Sequence, residues 1–180
     1  MIEKIENSVA QSIPKYWERI PLAAEVQRRQ ALGEHGVFTN GCFDLLHLGH
    51  VRYLQEARAL GDFLILGLNS DASTRRLKGP SRPLVPELER AEILAALTCI
   101  DYVTIFDEPT AGPLVELLQP TVYVKGGDYA NAENMQPDLS RLPEASVVMS
   151  YGGTVRLIPY LSHHSTTELI KKIQALPGNS

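Results

Sequence analysis

From Gly36 almost to its end the chain alternates short apolar runs with stretches of helical periodicity. Residues 37–39, 63–68, 102–106, 121–125 and 155–159 read as strands, and 49–59, 87–97, 113–118 and 166–175 as helices. Strands that take turns with helices form βαβ units, and such units build a mostly parallel sheet covered on both faces. The expectation is therefore an α/β, doubly wound sheet of about five strands, with ligands bound beyond the carboxyl ends of the strands near a switch point. In front of it, Ile2, Ile5, Val9 and Ile13 fall at helical spacing, Pro14 and Pro21 interrupt, and a second helical run covers 22–32. The expected division is an N-terminal helical extension over 1–33 and one compact domain over 34–180, the extension serving as a packing helix or a dimer contact. Residues 130–151 give no clear pattern beyond an apolar Val147-Val148-Met149.

The 180 residues, 44% of them hydrophobic, suffice for one proper core. A net charge of −4 argues against nucleic acid as a partner, so any anionic substrate must meet a local basic cluster. Cys42 and Cys99 lie far apart with no paired spacing, which indicates neither a zinc site nor a disulfide framework and fits a reduced cytoplasm. No run reaches the roughly 18 apolar residues of a membrane span, and a soluble protein is expected.

Directly after the first strand stands G-C-F-D-L-L-H-L-G-H, Gly41 to His50, with two histidines three apart. If a helix begins near Leu48, residues at that spacing share a face, and the free N–H groups at its start make an anion site beside the imidazoles. Taken alone, two histidines near a helix start are more often solvated or capping residues. Downstream, Arg75-Arg76-Leu77-Lys78-Gly79-Pro80-Ser81-Arg82-Pro83 is the one basic cluster, and it reads as a flexible phosphate clamp. Lys125-Gly126-Gly127-Asp128-Tyr129 leaves a strand through two glycines, and Ser165-Thr166-Thr167-Glu168 forms a capping box.

These segments, with Asn69-Ser70-Asp71 and Glu89-Arg90-Ala91, resemble in order and spacing the H-x-G-H nucleotidyltransferases. Within that group Thr39 to Asp44 and the K-G-G-D-Y segment are most similar to the heptose-1-phosphate adenylyltransferases. The resemblance covers roughly residues 34 to 175 and implies a Rossmann-like fold. It further implies AMP transfer from ATP to a sugar phosphate, with Mg²⁺ on the phosphates and no metal held by the protein. Small-molecule substrates, no nucleic acid, no membrane and a homodimer complete the expectation.

By the same resemblance His47, His50 and Lys78 are the catalytic candidates. The nucleotide is expected at Asn40, Gly41, Cys42, Phe43, Asp44, Gly49, Asn69, Asp71, Lys125, Gly126, Asp128, Ser165, Thr166 and Thr167. The acceptor is expected at Arg76, Arg82, Arg90 and Tyr129. Each has a plainer alternative: a turn for Gly41 and Gly49, a helix cap for Asp44, a surface ion pair for Arg90, and solvated charges for Arg75 and Arg76. One departure stands before S-T-T, where the family usually has a glycine and an aromatic or acidic residue and this chain has Tyr160-Leu161-Ser162-His163-His164. The rival readings are a CTP-dependent enzyme acting on glycerol 3-phosphate or another polyol phosphate, and a non-catalytic nucleotide-binding protein.

Overall fold

The computed structural model describes residues 12–127, 141–159 and 166–176. The expected helix over 2–13 lies, but for its last two positions, outside them, as do Asp128, Tyr129, His163, His164 and Ser165. Five parallel strands form one sheet: β1 (Gly36–Gly41), β2 (Phe63–Asn69), β3 (Tyr102–Phe106), β4 (Val122–Gly126) and β5 (Thr154–Ile158). Their order is β3-β2-β1-β4-β5, so the chain reverses its direction of winding between β1 and β4. That is the doubly wound arrangement, and it opens a crevice at the carboxyl ends of β1 and β4.

The helices among the described residues are α1 (Arg19–Ala31), α2 (Leu48–Arg58), α3 (Asp71–Lys78), α4 (Glu87–Ala95), α5 (Gly112–Leu118), α6 (Pro143–Ser150) and α7 (Thr166–Gln174). Because strand side chains alternate between faces, the sheet presents Val37, Leu64, Leu66 and Val124 to α2 and α4 on one side. Phe38, Ile65 and Tyr123 meet α1, α5 and α6 on the other. The near-continuous apolar run of β2 follows from burial on both faces.

Two segments differ from the sequence expectation. The first half of the basic stretch is not an open loop: Arg75, Arg76 and Lys78 lie on α3. Its start is capped by Ser70, whose hydroxyl accepts the Ser73 N–H at 2.9 Å, but α3 carries almost no apolar stripe, so periodicity missed it. Helix α6 was hidden for the opposite reason. It is short and largely apolar, and a short apolar run has no readable period.

The described part of the N-terminal extension packs directly on the sheet. Leu22 and Val26 are fully buried in the same cluster as Phe38 and Phe63, and Trp17 N donates to Val103 O at 2.9 Å beside the edge of β3. Val26→Ala should accordingly cost about 2 kcal/mol of stability, the value of one buried valine side chain. Chemical denaturation checks this, and an unchanged midpoint would return the extension to a peripheral role.

Candidate active site

The carboxyl ends of β1 to β4 and the start of α7 border a cleft of about 980 Å³, large enough for a nucleotide and a second small substrate together. Helix α2 begins at its edge. His47 is the N-cap residue of α2 and His50 lies in its first turn, and their rings stack with centroids 3.9 Å apart and 21° between planes. The Phe43 ring sits 5.2 Å from His50 and holds that pair from behind. Phe43 reaches this position with φ of 44°, in the left-handed region, and its ring fills the space above Gly41. A Cβ on Gly41 would come within 2.9 Å of that ring, so the glycine is required by Phe43 as much as by any phosphate.

Burial, and then the neighbouring His47, push His50 down from its ordinary 6.5 to about 4, against the opposing effect of a hydrogen bond with the Leu45 backbone. At neutral pH His50 is therefore an uncharged imidazole. A group whose folded pKa lies below its unfolded value makes the unfolded chain take up protons first, so stability should fall as pH drops from about 6.5 towards about 4. In His50→Gln that part of the acid loss should vanish, as read from melting temperatures between pH 7 and 4.5. Parallel curves for variant and wild type would show that His50 is not depressed.

The other expected residues divide clearly. Asn40, Gly41, Cys42, Phe43, Asp44, His47, Gly49, His50, Asn69, Lys78, Arg82, Lys125, Gly126, Thr166 and Thr167 all border the cleft. Arg76, Arg90 and Asp71 do not. Arg76 turns to Asp107, donating to its backbone carbonyl and, at 3.1 Å, to its carboxylate, beside a separate shallow groove. Arg90 is 1% exposed. Its Nε donates to Val85 O at 2.8 Å, Nη1 to Cys42 O at 2.5 Å and Asn69 O at 3.0 Å, and Nη2 to Asp71 Oδ1 at 2.6 Å. The guanidinium thus sits beneath the site and ties the ends of β1 and β2 to the loop before α4. Asp71 is its counter-ion. Arg76, Arg90 and Asp71, expected at the substrates, thus have protein partners and lie outside the cleft lining.

Asp44 is neither a helix cap nor an open carboxylate. It is 6% exposed, its Oδ1 accepts Leu84 N at 2.7 Å and Val85 N at 3.0 Å, and it pairs with Arg82. This clamp carries Arg82 to the cleft, while Lys78 reaches it from the exposed end of α3. Lys125 lies deeper, with Nζ 3.5 Å from Asn40 O and 5.8 Å from the Tyr123 ring centroid. Burial holds its ammonium below the ordinary lysine range, and the nearby Glu144 carboxylate opposes that shift.

Glu144, on the first turn of α6, was not expected at the site. It is 5% exposed, borders the cleft, and accepts the Ala111 N–H on Oε1 at 2.9 Å. Thr74, Phe106 and Thr110 also border it. These residues come from segments with no distinctive motif, and only the fold brings them together. Among the described residues no three His, Cys, Asp or Glu side chains gather as a metal cage.

The cytidylyltransferase-like family model matches residues 38–172. The bifunctional protein HldE of Syntrophotalea carbinolica is 52% identical over 178 residues, which is 96% of this chain and 34% of that protein. The HldE protein of Geotalea uraniireducens is 57% identical over 85% of this chain and 30% of its own length. The chain thus spans about a third of the length of these curated relatives. The crystal structure of a lipopolysaccharide core biosynthesis protein from Thermoplasma volcanium is similar at a TM-score of 0.56 and 27% identity, covering 73% of this chain and all of that one. Paired imidazoles at the start of α2, in a crevice at the switch point of the sheet, are accounted for by these likenesses: the chain belongs to the cytidylyltransferase-like family of nucleotidyltransferases.

Proposed function

We propose that this protein transfers AMP from ATP to a heptose 1-phosphate, giving ADP-heptose and pyrophosphate. The observation that carries the reading is the stacked pair His47 and His50 at the start of α2, beside Lys78 and Arg82 in a cleft sized for two substrates. Similarity to HldE proteins at 52% and 57% identity, and the N-G-C-F-D and K-G-G-D-Y segments, favour ATP and heptose over CTP and glycerol phosphate. In this reading an oxygen of the sugar phosphate attacks the α-phosphorus in line. The new P–O bond forms as the bond to the β-phosphate oxygen breaks and pyrophosphate departs.

No enzyme nucleophile takes part, so positioning and preorganised donors supply the rate. His47 and His50 donate N–H groups to the phosphates and Lys78 neutralises the departing charge. Thr166 and Thr167 offer hydroxyls and helix-end amides. An Mg²⁺ ion belongs to the same reading and, bound with the triphosphate, would neutralise developing charge. Residues 1–33 serve as an integral extension of the catalytic domain, and a homodimer in a reducing cytoplasm fits the same reading.

Pyrophosphate release, measured with ATP and with CTP, each against heptose 1-phosphate and glycerol 3-phosphate with Mg²⁺, tests the proposal. Release from ATP plus the heptose phosphate alone is expected. Release from CTP plus glycerol phosphate would replace the reading with its rival, and silence in all four would leave a nucleotide-binding protein without this activity.

A further inference from the structure

Arg76 and Arg90 turn to protein partners, which leaves Arg82 as the acceptor candidate that borders the cleft among the described residues, a cation suited to phosphate and not to sugar hydroxyls. The cleft contains a group suited to hydroxyls that sequence patterns do not mark. Glu144 is a buried carboxylate at the cleft wall, and its Oε1 is fixed by the Ala111 N–H at 2.9 Å. The other carboxylate oxygen enters none of the hydrogen bonds among the described residues. Within its electrostatic reach is Lys125, at the end of β4. A carboxylate so placed repels phosphate and accepts hydrogen bonds from hydroxyl groups, while an ammonium beside it donates to them. Such a pair selects a polyol and orients it, hydroxyls toward Glu144 and phosphate away from it, toward His47, His50 and Lys78.

Two kinds of hydroxyl could lie there, those of the nucleotide ribose and those of the acceptor. Thr166, Thr167 and Gly126 border the cleft on the β4–β5 half of the sheet. Glu144 is held at the start of α5, where Ala111 is the N-cap residue and the preceding Pro109 and Thr110 also border the cleft. With the nucleotide phosphates at Thr166 and Thr167, the wall formed by Glu144 and the segment before α5 is left for the acceptor.

We propose that Glu144, supported by Lys125, binds the hydroxyls of the acceptor's sugar and so sets which phosphorylated polyol is used. The inference rests on the adenylyltransferase reading above. It is tested with wild type, Glu144→Gln and Glu144→Asp, using ATP, 2′-deoxy-ATP, heptose 1-phosphate and analogues of the latter each lacking one ring hydroxyl. Glutamine still accepts the Ala111 N–H, so the fold should stand, and the aspartate variant carries the same test should glutamine not fold. The KM for heptose 1-phosphate should rise at least about 10-fold with the KM for ATP within about 2-fold. Wild type should reject at least one deoxygenated analogue by about 10-fold or more, and the variant should no longer distinguish it.

A rise in the KM for ATP, with lost discrimination against 2′-deoxy-ATP, would place Glu144 on the ribose and overturn the inference. A lower melting temperature with both KM values unchanged would reduce it to a brace and overturn it equally. If wild type works only with CTP and glycerol 3-phosphate, the heptose reading fails on that control, whereas Glu144 is still tested against glycerol 3-phosphate and its 2-deoxy analogue. Wild type silent with every pair would end both.

Discussion

Alanine at His47 or at His50 lowers kcat about 10²- to 10³-fold, the usual effect of deleting one preorganised donor to a developing charge. The loss should fall on kcat and kcat/KM alike, because the donors act on charge that appears only as the α-phosphorus is attacked. The two rings stack at 3.9 Å, and burial and the neighbouring His47 hold His50 well below the ordinary histidine range, so the two work as a unit. The double variant should therefore lose much less than the product of the single losses. Steady-state rates of pyrophosphate release with saturating ATP, beside melting temperatures, provide the check. Near-normal turnover in both single variants would remove these residues from the chemistry; a collapse of the fold would assign them to the scaffold.

Much of this architecture was legible because two periodicities compete so plainly along the chain. β2 was expected over 63–68 and runs Phe63–Asn69, and the helix expected near Leu48 runs Leu48–Arg58. Apolar strands buried on both faces and helices with one apolar side leave that record. Helix α3 left none, since its sequence D-A-S-T-R-R-L-K has only Ala72 and Leu77 as apolar residues and only its Ser70 cap marks its start. The candidate site was legible where backbone conformation and chemistry coincide in one segment, as from Gly41 to His50. Glu144 was illegible because its importance comes from a contact with Ala111, 33 residues away, and no local pattern encodes such a pairing. Charge was the least reliable guide. Five basic side chains were expected to face phosphate, yet Arg76 and Arg90 turn to protein carbonyls and carboxylates, and the sequence alone does not say which cation folds inward.

Arg90→Ala should destabilise the protein by about 3–5 kcal/mol, the cost of removing one partner from a buried, hydrogen-bonded ion pair. The substitution leaves Val85 O, Cys42 O and Asn69 O without their donor and strands the Asp71 carboxylate. For a chain of this size that corresponds to a fall in melting temperature of roughly 10 °C or more. Asp71→Asn should cost clearly less, because the Asp71 side chain is 24% exposed and water replaces part of the lost interaction. Arg90→Lys should rescue little, since an ammonium cannot span three carbonyls and a carboxylate in the fork geometry of a guanidinium. Activity in Arg90→Ala, measured well below its melting temperature, should fall mainly through the loosened end of β1, raising the KM for both substrates together. An unchanged melting temperature with a rise confined to the KM of the sugar phosphate would instead put the guanidinium on the substrate, and the buried position of Arg90 would then have to open during turnover.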